Sequence, residues 1–106
     1  MTEEEARLEI ARTARALLSG MLSYIEGARK IAALRFPANL EHDPDVTRFI
    51  AIDSQTDALP AGEAGKNWLP AALLRLEPEI SRAEAWAQEF ANAAAQSLAR
   101  RFSPLV

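Results

Sequence analysis

The sequence of 106 residues contains no cysteine and a single histidine, His42. Without cysteine the chain forms no disulfide, offers no thiolate to a metal ion and has no cysteine nucleophile. Such a composition fits a reducing compartment, so we expect a cytoplasmic protein. Histidine catalysis needs an orienting acid and a nucleophile. No spacing in the chain indicates such a triad, so His42 is expected to be a solvated loop residue.

Long hydrophobic runs and an excess of basic residues are also missing. No stretch of 18 residues lacks a charge, which predicts that no helix spans a membrane. The chain begins Met-Thr-Glu-Glu-Glu, whereas a signal peptide begins with basic residues followed by an apolar run. The net charge is −3, which argues against nucleic acid as a partner, because binding to a phosphate backbone needs a basic surface.

Motifs that carry familiar chemistry are absent as well. The sequence has no glycine-rich phosphate loop, no pair of histidines at metal-ligand spacing and no nucleophile-elbow sequence. We therefore expect no cofactor and no metal ion. The sequence alone leaves enzymatic activity undecided, and it favours a protein without one.

The composition that is present favours helices. Alanine accounts for 22 residues and arginine for ten of the twelve basic residues, and both types have high helix propensity. Hydrophobic residues make up 49% of the chain and charged residues 25%, as in an ordinary globular domain. The length fits one domain. We predict a single all-α domain over residues 1–106, a compact bundle of four or five helices.

Local patterns place the first two helices. Apolar residues at helical spacing predict a helix over about residues 3–19, with Gly20 as its C-terminal stop. A Ser-x-x-Glu capping box at Ser23 predicts the start of the second helix. Pro37 is expected to end it, because the residue before a proline avoids the α-region. Gly27, in its first turn, predicts that another backbone comes close.

The third helix is predicted to begin at Asp43 and Pro44, an N-terminal cap followed by proline in the first turn. Residues 49–52, Phe-Ile-Ala-Ile, also fit a short buried strand, and we favour the helix because of the cap. A long ordered loop is predicted at about residues 54–67, which contain Pro60 and two glycines. Loops of this length are uncommon and are often functional.

The last predicted helix begins at Trp68-Leu69-Pro70 and carries one apolar stripe over residues 73–102. Trp86 lies four residues before Phe90, and the spacing favours a position in the core. Pro78 is expected to kink the helix or to divide it in two. Trp68 is expected to close the preceding loop against the core.

Acidic residues are concentrated in the middle of the chain, where residues 37–70 carry six acidic and two basic side chains. Within this range Asp53, Ser54, Thr56 and Asp57 form a polar run between apolar residues. Such residues usually cap helices and form turns, and we favour this interpretation over a ligand-binding loop. A metal site at the two aspartates is less favoured still, because the run lacks the spacing of a calcium-binding loop.

Basic residues of the second predicted helix are candidate partners for the acidic run. Glu26 and Arg29 lie three residues apart and share a helix face, whereas Arg29 and Arg35 are about 120° apart around the helix. The arginines are solvated, paired with the acidic run or, as the least favoured alternative, catalytic or phosphate-binding. We predict that Asp53 and Asp57 hold their segment in place by accepting hydrogen bonds from backbone N–H groups and from at least one of these arginines.

Three segments carry a resemblance to other proteins. They are Ile25-Glu26-Gly27-Ala28-Arg29 with Leu34-Arg35, the run from Phe49 to Gly62 with its Ile-Asp-Ser-x-Thr-Asp-x-Leu-Pro-x-Gly motif, and Trp68-Leu69-Pro70. Together they resemble a family of small bacterial proteins of unknown function, over about residues 15–90. The resemblance implies the helical fold and a bacterial origin, and it assigns no catalytic residue.

Two functions follow from these patterns. We favour a non-enzymatic module for protein–protein interaction, of the inhibitor or immunity-protein kind, whose partner is another protein or a second copy of the chain. Its support is the small size, the acidic middle and the missing catalytic motifs. The alternative is a small-ligand-binding or hydrolytic protein with a cleft around Glu26, Arg29, Asp53 and Asp57. A concave pocket lined by these four side chains would favour the alternative.

Overall fold

The computed structural model describes residues 1–60, 65–66 and 68–102, and these residues form four α-helices. The helices are α1 (Glu3–Leu18), α2 (Tyr24–Leu34), α3 (Pro44–Thr56) and α4 (Pro70–Arg101). No β-strand occurs in the described ranges. The predicted all-α bundle is therefore confirmed.

Local groups fix both ends of α1. The Thr2 hydroxyl accepts a hydrogen bond from the Glu5 N–H, and the Glu5 carboxylate accepts one from the Thr2 N–H. This capping box satisfies N–H groups that the first turn of a helix leaves without partners. After the helix, Gly20 has a φ of 80°, a left-handed conformation that glycine adopts without strain. The predicted stop at Gly20 is confirmed.

The start of α2 is also set by its own sequence. Ser23 Oγ accepts a hydrogen bond from the Glu26 N–H at 3.1 Å, which confirms Ser23 as the cap. The capping box is incomplete, because the Glu26 carboxylate accepts from the Ser23 hydroxyl at 3.2 Å and not from the backbone. The helix ends at Leu34, three residues before Pro37, and turns follow.

Gly27 allows α1 and α2 to pack closely. A Cβ atom at this position would overlap Leu17 Cδ2 and would lie 2.9 Å from Leu17 Cγ. Leu17 is buried in the core. The close approach predicted at Gly27 therefore exists, but a side chain makes it and not another backbone.

Asp43 and Pro44 begin α3 as predicted. Asp43 Oδ1 accepts hydrogen bonds from the N–H groups of Asp45 and Val46 at 2.9 and 3.2 Å, and Pro44 occupies the first turn. The helix continues through residues 49–52, so the alternative of a strand there is wrong.

The helix α3 is longer than predicted. It ends at Thr56, so the polar run from Asp53 to Thr56 is helical, and the connection to α4 comprises residues 57–69. The connection therefore starts three residues later than the predicted loop. Of the predicted loop, residues 61–64 and 67 lie outside the described residues.

The hydrophobic core lies between α1, α2, α3 and the second half of α4. α1 and α4 pack extensively on each other, as do α2 and α3. The buried positions of α4 are alanines with one leucine, and such small side chains let helix axes approach closely. The largest fully buried side chains are Ile10, Ile25, Ile31, Phe49, Ile52 and Leu98.

The helix α4 runs unbroken for 32 residues through Pro78, so the proline does not divide it. At 1.5 Å per residue it is about 48 Å long, which matches the 46 Å long axis of the molecule. Its buried residues lie between Ala87 and Ala99, and no residue of the helix before Ala87 is buried. The predicted core stripe is therefore wrong for the first half of α4.

Charged side chains join the start of α3 to the end of α4. Arg101 donates hydrogen bonds to both carboxylate oxygens of Asp43, at 2.5 and 3.0 Å, and to Asp45 at 2.8 Å. The Ser97 hydroxyl donates to the same Asp45 oxygen at 2.6 Å. The hydrogen bonds from the Arg101 guanidinium hold the pKa of Asp43 below its ordinary value.

Candidate functional site

Arg29 lies at the centre of the predicted polar cluster, where the first half of α2 meets the end of α3. Its Nη2 donates hydrogen bonds to the carbonyls of Thr56 and Leu59, both at 2.7 Å. The last carbonyls of a helix have no partners within it. Arg29 therefore caps α3 and holds the first residues of the connection against α2.

Thr56 belongs to the same helix end. Its side chain is buried, and its hydroxyl donates to the Ile52 carbonyl at 2.7 Å. Its own carbonyl accepts from Arg29. Both oxygens of Thr56 are thus engaged inside the protein, which makes this residue part of the support of the helix end.

Asp53 and Asp57 do not make the contacts predicted for them. Asp53 is half-buried and Asp57 is exposed, as is Ser54. Across residues 1–60, 65–66 and 68–102, no hydrogen bond or salt bridge joins either aspartate to Arg29 or Arg35. The backbone N–H groups near Asp53 are already bonded within α3, because the helix continues to its end at residue 56. Arg29 instead binds the carbonyls of Thr56 and Leu59, which lie on either side of Asp57 in the chain.

Arg35 and Glu26 lie at opposite ends of α2. Arg35 donates to the Ala32 carbonyl at 2.5 Å, and its guanidinium lies 4.6 Å from the centroid of the Phe36 ring. Glu26 is engaged with Ser23 in the first turn. The structure thus brings Arg29 to the end of α3 and leaves Arg35 at the far end of its own helix.

Glu84 of α4 has a role that local sequence patterns did not indicate. Its two carboxylate oxygens accept hydrogen bonds from the N–H groups of Tyr24 and Ile25, at 2.7 and 3.1 Å. A negative charge at this position also stabilises the N-terminus of α2 through the helix dipole. Glu84 and its two partners are about sixty residues apart in the chain. The sequence signal that could have indicated this contact is an acidic residue on the apolar stripe of α4.

An apolar groove runs along the first half of α4. It has a volume of about 500 Å³ and is lined by Pro70, Leu73, Leu74, Glu77 and Ile80. Leu74 is 68% exposed. Among the described residues of this lining, Glu77 is the one that carries a charge. Contiguous exposed apolar surface on a small domain is typical of an interaction site.

Large hydrophobic residues are exposed at both ends of this half-helix. Trp68 and Leu69, directly before α4, are 42% and 75% exposed, so Trp68 does not seal the connection against the core. Trp86 is 37% exposed and stacks on Phe90, with ring centroids 5.2 Å apart. The predicted core position of Trp86 is therefore wrong.

The described residues offer neither a metal-binding group nor a membrane-spanning helix. Among them, no group of three or more candidate metal-ligating side chains is placed to hold an ion, and no helix is long and apolar enough to cross a membrane. His42 is exposed. No protein-family model matches the chain, and comparison with the curated proteins and with the solved structures found no match.

Proposed function

We propose that this chain is a non-enzymatic protein-interaction module that binds a protein partner through the first half of α4. The observation that carries this proposal is the apolar groove along residues 70–80, whose side chains lie outside the core. An inhibitor or immunity-type role fits a small module of this kind. The proposal also includes a cytoplasmic location and a bacterial source, the latter on the basis of the family resemblance.

Burial of the exposed leucines supplies the binding free energy in this proposal. Leu69 and Leu74 are 75% and 68% exposed, and full burial of a leucine contributes about 1.5–3 kcal/mol. Leu73 and Ile80 are already half-buried and contribute less. Such a small set of central side chains commonly carries most of the affinity of an interface.

The alternative function is small-ligand binding or hydrolysis in a cleft around Glu26, Arg29, Asp53 and Asp57. The position of Arg29 weighs against it, because its guanidinium bonds the carbonyls at the end of α3. The groove of α4 is not lined by any of these four residues, and a second cavity of about 300 Å³ lies between α1 and α2. We therefore favour the interaction module.

Co-purification followed by reconstitution tests the interaction module. Partners recovered with the wild-type chain are purified, and their affinity is measured for wild type, Leu74→Ser and Gln88→Ser. Gln88 is an exposed residue in the second half of α4 and serves as the matched control. We expect Leu74→Ser to bind at least about tenfold more weakly, since a buried leucine contributes about 1.5–3 kcal/mol. Equal binding by all three chains would contradict the proposal.

A further inference from the structure

The groove belongs to a seam of residues that runs along the whole of α4. The seam has alternating spacings of three and four residues, which place its members on one helix face. It comprises Pro70, Leu73, Glu77, Ile80, Glu84, Ala87, Ala91, Ala94 and Leu98. From Ala87 onward the seam is buried. The groove is therefore the exposed beginning of the same face that packs against the other helices.

Two carboxylates interrupt the apolar seam, and they lie seven residues apart. Glu84 accepts two hydrogen bonds from the first turn of α2, so this acidic position receives the positive end of a helix. Glu77 is exposed, and in the part of the chain that the structure describes its carboxylate has neither a hydrogen bond nor a salt bridge. Its neighbours Leu73, Leu74 and Ile80 are apolar and offer it no partner.

We propose that the groove binds an amphipathic helix of a partner protein, which brings a lysine or arginine side chain to Glu77. The inference rests on the proposed function and names the chemistry of the partner. Residues 70–80 rise by about 15 Å, which corresponds to about three turns of a docked helix. Its apolar side chains contact Leu73, Leu74 and Ile80, while its basic side chain forms a charge-assisted hydrogen bond with Glu77.

A second copy of the chain fits the groove less well. In a two-fold symmetric pair, residues 70–80 of the two copies would face each other, in either a parallel or an antiparallel arrangement. Each Glu77 would then meet the other Glu77 or the apolar residues around it. The two carboxylates would repel each other or be buried without a partner, and both arrangements are costly.

The charge of the chain also favours a basic partner. The net charge of the chain is −3. Opposite charge on a partner accelerates its association and disfavours acidic competitors.

Model helices that differ in charge test the inference. Two fluorescein-labelled peptides of about four helical turns share one leucine face and carry either lysine or glutamate at the polar positions. Their binding to the full chain is followed by fluorescence anisotropy. We expect the wild-type chain to bind the lysine peptide about tenfold more tightly than the glutamate peptide. Glu77→Lys should reverse this preference, whereas Glu89→Lys, at an exposed glutamate in the second half of α4, should retain it.

Further variants separate the inference from the function on which it rests. Leu74→Ser should weaken both peptides, and Glu77→Gln should reduce the preference for lysine without reversing it. Weaker binding by Leu74→Ser, together with an unchanged lysine preference in Glu77→Lys, would overturn the inference and leave the interaction module standing. Binding that neither substitution alters would contradict both. A dimer in light scattering that Leu74→Ser dissociates would assign the groove to a second copy and overturn the inference. Circular dichroism verifies that each variant is folded.

Discussion

Arg29 connects two helices through a single guanidinium group. Its Nη2 serves both the last turn of α3 and the connection beyond it, through the carbonyls of Thr56 and Leu59. These acceptors lie at the end of a helix, where backbone donors run out. One side chain of α2 therefore helps to attach the start of the connection.

Replacement of Arg29 with methionine keeps the aliphatic stem and removes the donors. We expect the free energy of unfolding to fall by about 2–3 kcal/mol, since one hydrogen bond to a charged group contributes about 1.5–3 kcal/mol and a single atom of a half-buried side chain donates both bonds. Urea unfolding measures the loss. The control is Asp53→Asn, which should change stability by less than about 0.5 kcal/mol. A greater loss in Asp53→Asn than in Arg29→Met would support the aspartate–arginine pairing that the structure lacks.

Gly27→Ala tests the close packing of α1 against α2. Although alanine favours helix by about 1 kcal/mol, the new methyl group would overlap Leu17, and such overpacking costs about 1–3 kcal/mol. We expect a net destabilisation in thermal unfolding. Leu17→Ala alone should cost about 2–5 kcal/mol, because it leaves a cavity.

The double variant provides the control for this contact. With Leu17 shortened, the alanine at position 27 fills part of the space, so the two losses should sum to more than the loss in the double variant. Additive losses would show that the two positions are independent.

The helix α4 combines a packed half and an exposed half. The core includes Ala91, Ala95 and Leu98 from the second half, whereas the first half has no buried residue. Pro78 lies in the first half and has no N–H to donate to the carbonyl of Leu74. The helix is thus weakest where its tertiary contacts are fewest, and its two halves should differ in local stability.

Hydrogen exchange should resolve this difference along α4. Amides of residues 71–83 are expected to exchange at least about tenfold faster than those of residues 87–99. Pro78→Ala restores a donor and removes a steric clash, so it should raise protection in the first half by up to about 3 kcal/mol. The second half should change little. Equal protection along the whole wild-type helix would contradict this division.

Helix starts that have a side-chain cap were predictable because the capping group lies within three residues of the start, whereas α4 has no such cap. Ser23 and Asp43 are examples, and each accepts from a nearby N–H. The end of α3 was not predictable in this way, because Arg29 from another helix donates to the Thr56 carbonyl there. Apolar spacing correctly marked one face of α4 but carried no information on how far the neighbouring helices extend. For the same reason the groove and the role of Glu84 became visible only in three dimensions.

At the scale of the whole molecule, the ion pair between Asp43 and Arg101 makes the stability of the fold depend on pH. The pKa of Asp43 is lowered in the fold, chiefly by hydrogen bonds from Arg101, so the unfolded chain binds this proton more readily. The resulting stabilisation is complete above the ordinary carboxyl pKa. It is lost as the pH falls below about 4, toward the lowered value.

Arg101→Met should therefore destabilise the protein most at neutral pH. The difference from wild type in urea unfolding is expected to shrink as the pH falls from about 5 to about 2. Arg12→Met is the matched control, because Arg12 pairs with Glu9 on the exposed surface of α1 and such pairs contribute only about 0–1 kcal/mol. A destabilisation by Arg101→Met that stays constant down to pH 2 would contradict this account.

The cap that Glu84 provides also bears on the order of events during translation. Until α4 has been synthesised, the N–H groups of Tyr24 and Ile25 lack the Glu84 carboxylate, and α1 can pack against α2 but not against α4. At about 5–20 residues per second, about 3–12 seconds separate the addition of Tyr24 from that of Glu84. During this interval the apolar faces of the earlier helices remain open to solvent. The nascent chain should therefore be a chaperone client before the domain closes.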